Sequence, residues 1–289
     1  MNNLVRYITS DGSAVLSVLD STDIVRTMER YHHTSATASA ALGRVLTVTS
    51  LIGYGLKDED CSLTVMFKGD GPIGSITAVS DWKGNVRGCC DNPLADLPEN
   101  AQGKLDVGGL IGRNGALYVL KDLGMDAPYV GQVEIQNGEV AEDITAYFAY
   151  SEQIPTVCAL GVLVDTDLSI LNAGGFLLQL LPGATEECIS RIEENIKKIP
   201  TMTQMLSDGL SINNIAQKIF TGIDFETIDS DLVSYKCTCS RDRMEKVLIS
   251  LGKDELLRLA EEQETTEIVC HFCNKKYLFS DEELRSLIQ

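Results

Sequence analysis

Four cysteines in the last fifth of this chain fall into two short-spaced pairs. Cys237-Thr238-Cys239 and Cys270-His271-Phe272-Cys273 are separated by 30 residues between Cys239 and Cys270. Two such pairs, brought together by a small fold, supply the tetrahedral sulfur set that zinc takes at about 2.3 Å. The chemistry expected is one Zn2+ ion, structural or regulatory and present in the reduced state, held by Cys237, Cys239, Cys270 and Cys273. Four thiolates complete the tetrahedron, so no position is left open for catalysis. A segment this short should draw much of its stability from the metal, since structural zinc contributes about 10–16 kcal/mol in small peptides. Free thiols clustered by chance are the lesser alternative.

The C-x-C half is the unusual one, because closed zinc sites generally use C-x-x-C at both ends. A disulfide across one intervening residue closes a small, strained ring, and strained disulfides are the more easily reduced. The spacing therefore points to a site that opens and re-forms. His271 lies beside a ligand but is surplus to a completed tetrahedron, and is expected to be a bystander. Cys89 and Cys90 form a vicinal pair at a strand end, where thiols serve as packing. Cys61, Cys158 and Cys188 are isolated and expected to be structural. His32 and His33 should close a helix, where the dipole favours them. Gly103-Lys104 lacks the spacing of a phosphate loop, and Gly108-Gly109-Leu110-Ile111-Gly112 is expected in turns. No triad, paired-carboxylate site or open catalytic zinc is visible, so the chain does not read as an enzyme.

The elements that must position these cysteines follow from composition and pattern. The 289 residues carry 24 Lys/Arg against 42 Asp/Glu, a net charge of −18, with 44% hydrophobic residues. Such a charge repels phosphate backbones and keeps a protein soluble. From Val233 to Gln289 the balance is only −2, so the cysteine-rich tail is not a basic nucleic-acid module. The start, Met1-Asn2-Asn3-Leu4-Val5-Arg6, does not read as a signal peptide. The apolar stretch from Ala36 to Gly55 contains Arg44 and several Ser and Thr, and reads as a buried helix rather than a membrane span. Nine cysteines without an export signal imply a reducing cytoplasm.

Leu4–Thr9 and Ala14–Leu19 flank Ser10-Asp11-Gly12-Ser13 as a hairpin. Helices are expected from Asp20-Ser21-Thr22 through Tyr31 and from Ser35 to about Gly53. Strands should follow at Ser62–Lys68, Ile73–Ser80, Val86–Cys90, Ala116–Lys121, Val130–Ile135 and Thr156–Val164, with a helix near Ala141–Tyr150. Asp167–Asn172 could form one more strand before Gly174-Gly175. The mixture lacks βαβ alternation, so the class is α+β. Past Leu181-Pro182-Gly183 the pattern becomes helical, with Thr185 as a cap and Ile189, Ile192 and Ile196 on one face. Further helices are expected at Met202–Leu206 and Ile212–Phe220. The tail reads as helix, hairpin, helix, with Ser280 and Glu283 as a capping box. The division expected is an α+β core over 1–182, a helical linker over 183–232, and a zinc-binding domain over 233–289.

Taken together, Cys237-Thr238-Cys239-Ser240-Arg241-Asp242-Arg243 and Cys270-His271-Phe272-Cys273-Asn274 resemble the zinc switch of the redox-regulated heat-shock chaperones, the 33 kDa chaperonin family. Leu42-Gly43-Arg44, Gly69-Asp70-Gly71-Pro72, Ser151-Glu152-Gln153-x-Pro155 and Gly174-Gly175-Phe176-Leu177 match in the expected order, so the resemblance spans nearly the whole chain. Cys89-Cys90 after Arg87-Gly88 departs from it, where the family often has an aromatic. The resemblance implies a large mixed sheet/helix N-terminal domain followed by the small zinc domain. It also implies an ATP-independent holdase, cytoplasmic, inactive while reduced and zinc-bound. Oxidation is then expected to form Cys237–Cys239 and Cys270–Cys273 disulfides, release zinc and expose apolar surface. Unfolded or oxidatively damaged clients are the implied partners, with a homodimer as the activated form and no nucleic acid or membrane.

Three other classes fit parts of the pattern. A zinc-ribbon nucleic-acid binder conflicts with the acidic charge. A thiol–disulfide oxidoreductase using Cys270 and Cys273 would need a βαβ context. A constitutive zinc-stapled interaction protein differs from the switch only in whether oxidation matters.

Overall fold

Alternation of apolar and polar residues in the first hundred residues builds sheets with one buried face. In the computed structural model, which describes residues 3–56 and 58–288, β1 (Asn3–Thr9) and β2 (Ala14–Asp20) form the expected hairpin. The Thr22–His32 helix α1 and the Ala36–Gly53 helix α2 follow, the latter capped by the Ser35 side chain. Strands β3 (Ser62–Lys68), β4 (Ser75–Asp81) and β5 (Val86–Cys90) make a meander. The Gly108–Gly112 stretch expected in turns is largely a short helix, α3 (Val107–Ile111), capped by Asp106. Then come β6 (Ala116–Asp122), β7 (Tyr129–Glu134) and α4 (Val140–Tyr147), which runs into a π-helical turn at Phe148–Glu152.

Strand β8 (Thr156–Val164) pairs with β9 (Ile170–Leu180). The strand expected to end before Gly174-Gly175 instead runs through both glycines. The reason is packing: a Cβ on Gly175 would stand 2.5 Å from Leu160 Cδ2 and 2.8 Å from the Ala159 carbonyl, and one on Gly174 2.7 Å from the Leu19 carbonyl. Here glycine permits close strand neighbours rather than a turn.

With a later strand, β10 (Phe225–Leu232), two five-stranded antiparallel sheets result, in the orders β10-β1-β2-β9-β8 and β5-β4-β3-β6-β7. Helix α2 packs against strands of both. All its residues but Ala36 and Arg44 are buried, which is why small side chains dominate it. It is long and apolar enough to cross a membrane, yet it is the core helix of this fold.

The stretch expected to be a helical linker differs from that expectation. Helices α5 (Glu186–Ile196), α6 (Met202–Ser207) and α7 (Ile212–Ile219) form there. They are followed by a strand, β10 (Phe225–Leu232), which pairs with β1. The helices cover the outer face of the first sheet, where Ile192, Met205, Ile215 and Ile219 pack with Tyr7, Leu16, Val18 and Phe176. The chain divides into two compact units, Met1–Lys236 and Cys237–Gln289.

The second unit contains α8 (Arg241–Ser250), α9 (Lys253–Glu262), the β11 (Thr265–Val269) and β12 (Lys276–Ser280) hairpin, and α10 (Asp281–Ser286). The Ser280–Glu283 capping box is formed. Helix α9 is additional to the expected helix, hairpin, helix. Gly252 ends α8 and then serves as the N-cap of α9 at φ 88°, so the stop signal is also a start.

Candidate metal centre

Each cysteine pair is placed by local hydrogen bonds. Cys237 and Cys239 occupy the irregular segment before α8, whose N-cap Ser240 accepts the Arg243 N–H. Cys270 and Cys273 lie in the β11–β12 turn. There the Cys270 carbonyl accepts the N–H groups of Cys273 (3.3 Å) and Asn274 (2.8 Å), while the Cys270 N–H donates to Lys275 O at 2.9 Å. Asn274 takes the left-handed conformation, φ 54°, which asparagine tolerates better than most residues. The second pair is therefore on a tight turn that aims both sulfurs the same way.

The four sulfurs lie within 4.8 Å of one another. Cys237 Sγ is 3.7 Å from Cys270 Sγ, and Cys239 Sγ is 3.5 Å from Cys273 Sγ. A tetrahedron with metal–sulfur bonds of 2.3 Å has edges of roughly 3.8 Å, so this set could hold a metal ion. Cys270 is buried and the other three are half-buried. Backbone N–H groups of Cys239 and Lys275 donate to the sulfurs of Cys237 and Cys273, an arrangement that favours thiolates. Burial pushes the Cys237 and Cys273 thiols up. At Cys239 burial also acts upward, but the Tyr277 hydroxyl and neighbouring thiols outweigh it and bring that thiol down to about 7.

A small core surrounds the cluster: Leu248, Leu256, Ala260, Tyr277, Phe279 and Leu284 are buried together with Cys270. Arg241, to which the sequence pattern assigns no role, ties it together. Its guanidinium donates to Leu278 O at 3.0 Å, pairs with Glu283 at 2.6 Å and lies 4.3 Å from the Phe279 ring centroid. One side chain thus joins α8, β12 and α10. Tyr277 was missed too. Both are aromatic or planar-cation residues next to the cysteine motifs, which is the signal that could have found them.

The remaining sequence candidates lie elsewhere. His271 is exposed and outside the sulfur cluster. Cys89 and Cys90 are successive residues of β5 and face opposite sides; Cys90 packs against the core of the first unit, and burial raises its thiol to about 12. Burial likewise raises Cys158 and Cys188, and Cys61 is buried. The other motifs are scaffold. Gly43 sits against Val25 and Val162, and a Cβ on Gly69 would lie 2.0 Å from the Ile111 carbonyl. Asp70 accepts the Arg113 and Asn114 N–H groups. Glu152 pairs with Lys121 at 2.8 Å and accepts the Tyr147 hydroxyl.

A family model described as Hsp33 protein matches residues 2–280. The 33 kDa chaperonin of Clostridium beijerinckii is 45% identical, with 99% of this chain and 98% of the relative covered. That of Acetivibrio thermocellus is 44% identical over 99% of this chain and 96% of its own. The crystal structure of the 33 kDa chaperonin (heat shock protein 33 homolog) of Thermotoga maritima superposes with a TM-score of 0.93 at 35% identity, covering 99% of this chain and 97% of that one. With matches of this extent over both the two-sheet body and the cysteine-bearing tail, the chain belongs to the Hsp33 family of chaperones.

Proposed function

We propose that this protein is a redox-regulated, ATP-independent holdase of the cytoplasm, and that it is a binding protein rather than an enzyme. The observation that carries the reading is the convergence of four sulfurs from two segments 30 residues apart within 4.8 Å. Zinc, when bound there, would cross-link the two segments and contribute to the folding of a unit with a small core of its own.

In the reduced state Cys237, Cys239, Cys270 and Cys273 hold the tail together as ligands. An oxidant such as peroxide, with mild unfolding, or hypochlorous acid takes two electrons from each pair of sulfurs. One S–S bond forms per pair; peroxide takes up the two thiol protons and leaves as two waters, and hypochlorous acid leaves as water and chloride with release of one proton. Oxidised sulfurs no longer ligate metal, so the tail loses that cross-link. Every pair of sulfurs in the folded site is within 4.8 Å, so distance in the closed site does not select the pairing. The proposed pairing is the one the family resemblance implies, Cys237–Cys239 and Cys270–Cys273. A loosened tail would bring neighbours in sequence together, and strain in the C-x-C ring would keep the first bond easily reduced.

Loosening that spreads to the helical layer would uncover Ile192, Ile215, Ile219 and Phe176 on the outer face of the first sheet. Those side chains would hold unfolding or oxidatively damaged clients, and the net charge of −18 would keep the opened protein dispersed. The activated form is proposed to be a homodimer. The test is aggregation of a chemically denatured client, followed by light scattering. Protection should appear after peroxide treatment under mild heating and vanish after reduction with zinc. Equal protection by the reduced, zinc-loaded form sinks the switch.

A further inference from the structure

The β5 edge of the second sheet is already occupied by a piece of this chain. Residues 233–236 lie along it as a short parallel strand, bridged at Val86 and Tyr235. The Val86 N–H donates to Ser234 O at 3.0 Å and the Lys236 N–H donates to Val86 O at 2.9 Å. Side chains alternate as in a strand: Val233 is buried, Ser234 exposed, Tyr235 half-buried and Lys236 exposed. Val233 fits over Gly84, where a Cβ would stand 3.1 Å from its Cγ1. Both Val233 and Tyr235 pack against the main core.

The phenol of Tyr235 deepens the contact. It donates to Gly88 O at 2.8 Å and accepts the Gly88 N–H at 3.2 Å, so it saturates the next backbone position of β5. His32 Nε2 stands 3.1 Å from the same carbonyl, and the Tyr31 ring meets Tyr235 edge-on at 5.5 Å. Asn85 Oδ1 accepts the Ser234 N–H and hydroxyl. The edge thus offers backbone donors and acceptors, an apolar slot over Gly84 and an aromatic slot against α1. A strand two apolar residues long in alternation fills all of them.

We infer that this edge is a binding site for extended polypeptide, and that residues 233–236 are its built-in occupant. The partner is a client segment in β conformation with an aliphatic residue and an aromatic residue two positions apart, added to the sheet by backbone pairing. The strap competes with it. The residue after Lys236 is Cys237, so the occupant is joined by one peptide bond to the first candidate metal ligand. This assignment rests on the chaperone reading, because it names how one client segment is held.

The test uses the full-length, reduced, zinc-loaded protein and a fluorescein-labelled peptide spelling residues 229–236, followed by fluorescence anisotropy. Tyr235→Ala weakens the internal competitor and should bind the peptide at least about tenfold more tightly than wild type. Tyr235→Phe, which loses only the phenol bonds, should fall between. Two N-methylated peptides separate strand pairing from general stickiness. Methylation at the Lys236 position removes the donor to Val86 O and should abolish binding. At the Tyr235 position the N–H faces away from β5, and methylation should leave binding intact. Equal affinity for wild type and both variants, or equal binding of the two methylated peptides, overturns the inference. Client protection by the oxidised wild type in that case leaves the chaperone reading standing; loss of protection with the peptide result intact overturns the redox reading alone.

Discussion

The Tyr277 hydroxyl donates to the Cys239 sulfur at 3.1 Å. It reaches from the strand after the second cysteine turn to a sulfur of the first pair, so the two halves of the cluster are linked by a hydrogen bond as well as by sulfur geometry. The same bond, with burial and the nearby thiols, raises the phenol to about 12, so the donor stays protonated at neutral pH. Tyr277→Phe keeps the ring and removes the donor. Zinc should still bind, with affinity lowered roughly ten- to a hundredfold, the usual effect of losing an outer-shell partner. Competition with a chromogenic chelator measures this, and unchanged affinity would show the bond to be incidental.

Metal removal should act first on the second unit. Chelation of the reduced protein is expected to abolish amide protection in β11, β12 and α8–α10, while the two five-stranded sheets keep theirs. Acidification should do the same, because thiolates must be deprotonated to ligate. Hydrogen exchange read by mass spectrometry resolves the two units. Retention of full protection in 237–289 without metal contradicts the claim that the small core depends on it.

Peroxide oxidation should consume the four clustered thiols, which lie within 4.8 Å of one another, and leave Cys61, Cys90, Cys158 and Cys188. Cys61 and Cys188 are buried, and burial also raises Cys90, Cys158 and Cys188, which keeps them as poorly nucleophilic thiols. Peptide mapping after blocking free thiols should find Cys237 joined to Cys239 and Cys270 to Cys273. Recovery of Cys237–Cys270 and Cys239–Cys273 instead would mean that oxidation trapped the closed geometry.

The Lys121–Glu152 pair should make stability of the first unit sensitive to acid. Burial acts to raise Glu152, but hydrogen bonds from Lys121 and Tyr147 and the lysine charge outweigh it, so its carboxyl lies below the usual 4.5. A depressed carboxylate contributes stability above its unfolded value and loses it as pH falls through the folded one. Glu152→Gln should therefore destabilise by about 1–3 kcal/mol at pH 7, with the difference from wild type shrinking below about pH 4. Urea titrations at several pH values give the comparison.

Gly175→Ala should lower the melting temperature of the first unit. The new methyl would crowd Leu160 at 2.5 Å, the Ala159 carbonyl at 2.8 Å and Thr47 at 3.1 Å. Overpacking of this kind costs about 1–3 kcal/mol. An unchanged thermal transition would mean that β8 and β9 have room to separate.

Much of this architecture was legible from local pattern. Strand-like runs between turn signals marked β1–β8, Ser35 and the Ser280–Glu283 capping box marked the starts of α2 and α10, and cysteine spacing marked the cluster. What escaped depended on distant partners. Strand β10 carries Glu226, Asp229 and Asp231 among its eight residues and is held by β1 and the Arg6–Asp229 ion pair, neither of which leaves a local trace. Helix α9 did have a pattern, in Leu256, Leu259 and Ala260, obscured because Gly252 reads as an end. Tyr235 is a lone aromatic until the fold brings Gly88 and His32 to it. Arg241 reads as one more charge beside a cysteine until Phe279 and Glu283 surround it.

The pairing of β10 with β1 also bears on how the protein is made. Arg6 and Asp229 are 223 positions apart, so at about 5–20 residues per second a ribosome takes roughly 10–45 s to deliver the second after the first. During that interval β1 has one side satisfied by β2 and the other bare. A nascent strand with an open apolar-flanked edge is a template for wrong pairing, so this chain passes through its own synthesis in the condition of the proteins its family guards.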